Sequence, residues 1–272
     1  METLQIGATT KQVPATWNEL KRKQLLQLLV EVYSEPRPGR RLRLLALLSG
    51  FPPVLLANLP EVVLAQLLPL ADWVDSDNHR LTAQLLPTLH IPGRHVAERP
   101  TTWHGPRESF RNLLFGEFIF ADTFFALYCL HGKPQFLDQF LTVLYRPARR
   151  DASPERADWN GDVRLAFNEH QLETRTPRVF RVAPLEKLAV VAWYRGCRAQ
   201  LAQEFPDVFV AADEDAGASA KKAPDWSRVL RKLSGEAFGP VQQTAGQPVR
   251  LILAEMQDLA ADYQRQKNRT NA

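Results

Sequence analysis

At 272 residues, with hydrophobic side chains making up 45% of them, the chain is long enough for one large domain or two smaller ones. It is also apolar enough to bury a core without disulfides or a metal. A formal net charge of +4 and a pI near 9.2 are compatible with a nucleic-acid partner and do not demand one.

In chain order, Met1 to Lys11 has no basic segment followed by an apolar run, so no secretory signal is predicted and a cytoplasmic location is expected. Thr16-Trp17-Asn18-Glu19 has the form of a capping box. Leu20, Leu25, Leu28, Leu29 and Val32 follow near helical period, which predicts a first helix that Pro36 and Pro38 stop. A second helix is predicted from Gly39 to Ser49, with Gly50 as its C-terminal cap. Pro52 and Pro53 force an extended link, and a third helix fits Pro60 to Trp73, with Pro69 kinking or shortening it.

Asp75 to His104 is the least helical stretch. Leu81 to Leu86 reads as one short helix, and Thr88 to Ile91 as a short strand within a proline-rich loop. The strongest element is a helix from Pro106 to about Leu130. His131-Gly132-Lys133-Pro134 breaks it, and a return helix over Gln135 to Tyr145 makes an antiparallel helical hairpin. Leu113 to Leu130 is the longest apolar run, but Glu117 and Asp122 interrupt it. A central Asp costs about 2.5–3.5 kcal/mol on insertion scales, so the run reads as a buried core helix and no membrane span is expected. Arg146 to Gly161 is a polar loop, helix resumes over Val163 to Leu172, and Leu185 to Glu204 forms another long helix. Ala211 to Ala223 is small and charged, a linker that buries little area. Asp225 caps a helix through Leu233, Gly235 and Gly239-Pro240 turn the chain, and Pro248 starts a last helix to about Gln266.

These elements predict an all-α fold, a bundle-like orthogonal assembly of helices with long loops and a C-terminal helical pair. Residues 1–210 would form the main helical domain and 211–224 a flexible linker. Residues 225–272 are a C-terminal segment too small for a core of its own, which must dock on the main domain or on a partner.

Glu117 and Asp122 are the residues most suggestive of chemistry, because phenylalanines and leucines surround them on the same helix. A poorly solvated carboxylate has a raised pKa unless a cation answers it. The two lie five residues apart, about 140° around a helix, so they cannot act side by side as a catalytic pair. Arg146, Arg164, Arg181 and Arg195 are the predicted partners, and a structural ion pair is the simpler reading. His90, His95 and His104 lack the spacing of a metal site. Ser49 and Ser234 lack a nucleophile elbow, and there is no phosphate-binding glycine loop. Cys197 has Arg195 and Arg198 beside it, which would favour a thiolate only if the thiol were exposed. Both it and Cys129 stand in apolar helical stretches, and two reduced, buried thiols are expected, too few for an extracellular disulfide framework. No catalytic residue, cofactor or metal is predicted.

Arg37, Arg40, Arg41 and Arg43 are the densest basic cluster and the candidate nucleic-acid contact. Leu42, Leu44, Leu45, Leu47 and Leu48 make the same helix amphipathic, so solvated or ion-paired arginines suffice to explain it. Trp226, Leu230, Leu251, Met256 and Tyr263 are the candidate protein interface, on the apolar faces of the last two long helices.

Three stretches together resemble helical proteins encoded in prophage structural modules. They are Gly105-Pro106 through Glu117-Phe118 and Ala121-Asp122, then Val143-Leu144-Tyr145-Arg146-Pro147, then Tyr194-Arg195-Gly196-Cys197-Arg198 through Phe205-Pro206. The run from Trp226 to Tyr263 is similar to the helical pair of small tail-assembly proteins. This resemblance implies a non-enzymatic assembly factor or chaperone whose partners are phage tail proteins, the tape-measure protein among them. It implies no binding residue. The alternative is a nucleic-acid-binding protein that uses its arginine-rich helix.

Overall fold

In the computed structural model the described residues are all except 36, 76–79, 94–97, 157–158, 160, 210–225, 236–237 and 271–272. The chain is mostly helical, and it also holds two small antiparallel sheets, so it is not purely all-α. Its contacts divide it into two units, Met1–Leu86 with Ala183–Gly196, and Pro87–Val182 with Cys197–Ala272. This partition cuts across residues 1–210 rather than at their end, and the linker 211–224 lies outside the described residues.

The first unit opens with a hairpin of β1 (Glu2–Ile6) and β2 (Thr9–Val13), paired so that Leu4 faces Lys11. Gly7 takes φ +59° in the two-residue turn between them, a left-handed conformation that glycine adopts without strain. Leu4 and Val13 are buried. The Thr16 side chain caps nothing, because Trp17–Glu19 is only a 3-10 turn that ends in an extended Leu20. Glu19 instead accepts a 2.8 Å hydrogen bond from the Ala15 amide. The first helix, α1 (Arg22–Tyr33), is capped one turn later, where the Lys21 amide donates to Gln24 Oε1 at 2.9 Å. Leu25, Leu28 and Leu29 form its buried stripe.

Helix α2 (Arg40–Ser49) ends as predicted at Gly50, which is left-handed at φ +66° and donates its amide to the Ala46 carbonyl. Short helices α3 (Pro53–Ala57) and α4 (Glu61–Leu67) follow. From Leu68 to Asp75 the chain tightens into 3-10 geometry, as the missing amide of Pro69 favours. No helix forms over Leu81 to Leu86. The Asn18 side chain accepts hydrogen bonds from the Thr82 and Ala83 amides at 2.8 and 2.9 Å, so a distant side chain satisfies donors that a helix would have used.

The second unit contains a three-stranded antiparallel sheet in the order β3 (Thr88–Ile91), β4 (Thr101–His104), β5 (Arg146–Pro147). Helix α5 (Phe115–His131) begins well after Pro106. Ser109 and Phe110 take left-handed φ values of +52° and +58° and break the helix that the sequence predicts there. Gly132 caps α5, and α6 (Pro134–Leu144) returns against it as the predicted hairpin. Val163 to Leu172 is not the predicted helix. The Leu165 amide donates to the Pro147 carbonyl and the Arg149 amide to the Val163 carbonyl, both at 2.8 Å, which makes the segment strand-like. Helix comes later, as α7 (Leu172–Val179).

Helix α8 (Pro184–Glu204) contributes residues to both units. Then come α9 (Trp226–Leu233), α10 (Val241–Ala245) and α11 (Val249–Thr270). The C-terminal pair belongs to the second unit, where the Phe115 amide donates to Gln247 and the Val249 amide to Leu113. A Cβ on Gly116 would lie 3.2 Å from Ala245, so a glycine in the first turn of α5 is what lets α10 come this close.

Candidate functional site

Glu117 stands in the first turn of α5 and is 2% exposed. Its Oε1 accepts from Arg146 Nη2 at 2.6 Å and its Oε2 from Arg164 Nη2 at 3.0 Å. Both guanidinium groups are buried. Arg146 also donates to the Leu165 and Val143 carbonyls. Arg164 donates to the Leu144 and Asn112 carbonyls and, through Nε and Nη2, to the Asp162 carboxylate.

Two cations thus face two carboxylates, and backbone carbonyls accept further hydrogen bonds from both. Burial holds Arg146 below its ordinary pKa, opposed by Glu117 and reinforced by Arg164. Arg164 suffers the same burial, but Glu117 and Asp162 together outweigh it and hold its pKa up. The arrangement ties the first turn of α5, the end of α6, β5 and the strand-like segment around Arg164 to one centre. Every group in it is engaged by another.

Asp122, one turn and a half further on, is fully buried. Its Oδ1 accepts from Arg198 Nε and its Oδ2 from Trp226 Nε1, each at 2.7 Å. The Trp226 indole packs edge-on against Phe115, Phe118 and Phe209, with centroids 6.4, 5.2 and 5.9 Å away. Asp122 is therefore the polar anchor that docks α9 on α5.

Of the four arginines predicted as partners for the two acids, Arg146 and Arg164 serve Glu117. Arg181 donates to the Gly93 carbonyl, and Arg195 is exposed. Sequence reasoning missed Asp162, Arg198 and the Trp226 indole as members of these clusters. Asp162 and Arg164 stand two apart at the edge of a polar loop, and such loops ordinarily face solvent.

In the first unit, Arg40 pairs with Asp75 at 2.7 Å, Arg41 with Asp72 at 2.6 Å and Arg43 with Glu31 at 3.1 Å. Arg37 is exposed just before α2. Three of the four candidate phosphate contacts therefore carry a carboxylate already, which weakens the field they would offer to nucleic acid. A groove of about 600 Å³ in this unit runs along Gln27, Val30, Ala46, Leu47 and Phe51, past the Glu31–Arg43 pair.

Cys197 is buried, and burial pushes its thiol up to about 12. A thiolate nucleophile is not on offer at neutral pH. Cys129 is exposed, contrary to the expectation of two buried thiols, as are Leu130 and His131 in the same last turn of α5. Among the described residues no group of three or more His, Cys, Asp and Glu side chains could hold a metal ion, and no helix is long and apolar enough to cross a membrane. His79 and His95 lie outside the described residues.

The candidate interface residues divide into two sets. Trp226 is buried in its own chain and Leu230 is half-buried. On α11, Val249, Ile252 and Leu253 are buried in the second unit and Met256 is half-buried. Leu251, Leu259 and Tyr263 are 50%, 52% and 64% exposed. Comparison with known proteins finds no matching family model, no matching curated protein and no matching solved structure.

Proposed function

We propose that this chain is a non-enzymatic protein-interaction or assembly factor whose binding face is the outer half of α11. Its partners would be the tail or tape-measure proteins that the prophage resemblance implies, making it a tail-assembly chaperone. The observation that carries the reading is one apolar seam on one helix. Val249, Ile252, Met256, Leu259 and Tyr263 follow at alternating spacings of three and four. The seam is buried at its start and exposed at 52% and 64% at its end. A helix recognised in a groove presents anchors at this spacing. The buried acids support the same reading, since the cations around them turn both clusters to holding helices together.

Affinity capture on the full chain, with neighbouring tail gene products co-expressed, tests this. The wild type retains a partner in stoichiometric amount, and a Leu259→Asp/Tyr263→Asp variant of unchanged helicity loses it. Equal retention by the variant, or no retention by the wild type, refutes the reading.

A further inference from the structure

Within the first unit a pocket of about 70 Å³ opens between α1 and α8. Arg22 pairs with Glu186 near the starts of the two helices, and further along them Tyr33 and Arg195 line this pocket, so α1 and α8 run side by side in the same direction. The floor is apolar, with Trp17, Leu29 and Leu81 only 5%, 1% and 1% exposed. Val32 and Ala192 make half-buried walls, and Tyr33 and Arg195 stand exposed at the mouth.

The walls are held in place by contacts outside the pocket. The Trp17 ring packs edge-on against Trp73, with centroids 5.6 Å apart. Trp193 of α8 donates its indole N–H to the Thr82 carbonyl at 3.1 Å, and Asn18 holds the Thr82 and Ala83 amides, so the chain next to Leu81 is tied on both sides. Space is left because α8 presents only the methyl group of Ala192 here, one turn before Arg195. Arg22, Arg40, Arg41 and Arg43 in the same unit each carry a carboxylate. Arg195 forms no ion pair and no side-chain hydrogen bond among the described residues. The acids nearest in sequence on the two helices, Glu31 and Glu186, are taken by Arg43 and Arg22.

We propose that this pocket binds a short branched alkyl group ending in a carboxylate. The alkyl tail lies on Trp17, Leu29 and Leu81, and the carboxylate meets the Arg195 guanidinium beside the Tyr33 hydroxyl. Volume sets the tail: a cavity of about 150 Å³ takes benzene, so this smaller one holds a branched group of about three or four carbons and no ring. Charge sets the head, because a guanidinium offers parallel N–H donors that match a carboxylate, and one cation balances one negative charge. A few polar groups at the rim of an apolar concavity are what orient a small ligand. Two sources carry this chemistry, a free short-chain acid and a polypeptide C-terminus ending in valine or leucine. The pocket is separate from α11 and does not rest on the assembly reading.

Methyl NMR of the full chain, with labelled leucine and valine methyl groups, reads the site through Leu29, Val32 and Leu81. Isovalerate shifts these methyls saturably, with a Kd on the order of 1 mM as suits so few atoms. Isovaleramide, equal in shape but uncharged, leaves them unmoved. Arg195→Met keeps the aliphatic stem without the charge, and Ala192→Leu fills the space. Each loses the saturable shift while the rest of the spectrum stays in place. An acetylated peptide ending in leucine separates the sources: binding tighter than isovalerate assigns the pocket to a C-terminus, and weaker binding assigns it to a free acid.

The absence of a saturable shift with both isovalerate and the peptide overturns the proposal. So does equal binding of isovaleramide, or an Arg195→Met chain that binds as the wild type does.

Discussion

Replacing Glu117 by Gln removes one negative charge and almost no volume from a site that is 2% exposed. Of the carboxylates around the two guanidinium groups there remains that of Asp162, which pairs with Arg164 at 2.7 Å. Arg146 keeps its bonds to the Leu165 and Val143 carbonyls but loses the only carboxylate with which it forms an ion pair among the described residues. An amide nitrogen turned toward either guanidinium would set donor against donor. Removing one partner of a buried pair costs about 3–5 kcal/mol, and the surviving carbonyl bonds place this case toward the lower end. An exposed pair of the same type, Arg41 with Asp72, is worth about 0–1 kcal/mol, so Arg41→Met serves as the internal control. Urea unfolding followed by far-ultraviolet circular dichroism measures both. The structure predicts a clear drop in midpoint for Glu117→Gln and almost none for Arg41→Met. The double change Glu117→Gln/Arg146→Met should cost less than the sum of its parts, because the second removes the cation stranded by the first. A loss below about 1 kcal/mol for Glu117→Gln, too small for a stranded buried charge, would refute the structural role assigned to this cluster.

Gly196 is inside a helix, where Gly→Ala ordinarily gains about 1 kcal/mol. Here a Cβ would lie 2.3 Å from the Leu81 carbonyl oxygen, so thermal denaturation should show Gly196→Ala to be destabilising, by about 1–3 kcal/mol. Trp226→Phe keeps most of the ring packing but removes the 2.7 Å bond to Asp122, at a cost of about 1.5–3 kcal/mol in chemical denaturation; an unchanged midpoint would show that the bond does not anchor α9. The Cys197 thiol, raised from 9.0 to about 12 by burial, stays neutral in the folded chain while the unfolded chain ionises. Stability from this group is complete below about 9 and falls as pH rises toward 12, by at most about 1.4 kcal/mol per pH unit. Cys197→Ala should flatten that part of the stability–pH curve, and an identical slope in wild type and variant would contradict the assignment.

Local signals that end helices were legible residue by residue. Gly50 and Gly132 cap α2 and α5, Pro69 marks the change to 3-10 geometry, and the break at Gly132-Lys133-Pro134 produces the α5–α6 hairpin. Misreadings arose where a distant group satisfies the backbone. The Asn18 side chain takes the amides of Thr82 and Ala83, and Pro147 and Arg149 hold Val163 to Leu165 extended; neither contact leaves a mark in the local pattern. The hairpin of β1 and β2 had a local cue, Gly7 between two runs that include β-branched residues, but the runs are short and only Leu4 and Val13 are buried. Pro106 suits a first helical turn and points to an early start for α5, whereas left-handed Ser109 and Phe110 decide the matter.

At the candidate site, two buried acids within an apolar helix announced that cations must answer them. Which cations did so depended on the fold. Arg164 falls in a stretch that reads as helix and Asp162 just past a polar loop, neither of which points to Glu117, and Arg198 and Trp226 reach Asp122 from elements 76 and 104 residues away in the chain. The seam on α11 was legible as spacing. The contrast between its buried beginning and its exposed end belongs to the tertiary structure.

Amide hydrogen exchange of the full chain, alone at low concentration and then with a captured tail protein, tests the central claim most directly. The account predicts new protection confined to the outer part of α11, from about Met256 onward, with the helices around Glu117 unchanged. Protection that falls on α2 around Arg40 to Arg43 while α11 keeps exchanging freely would contradict it.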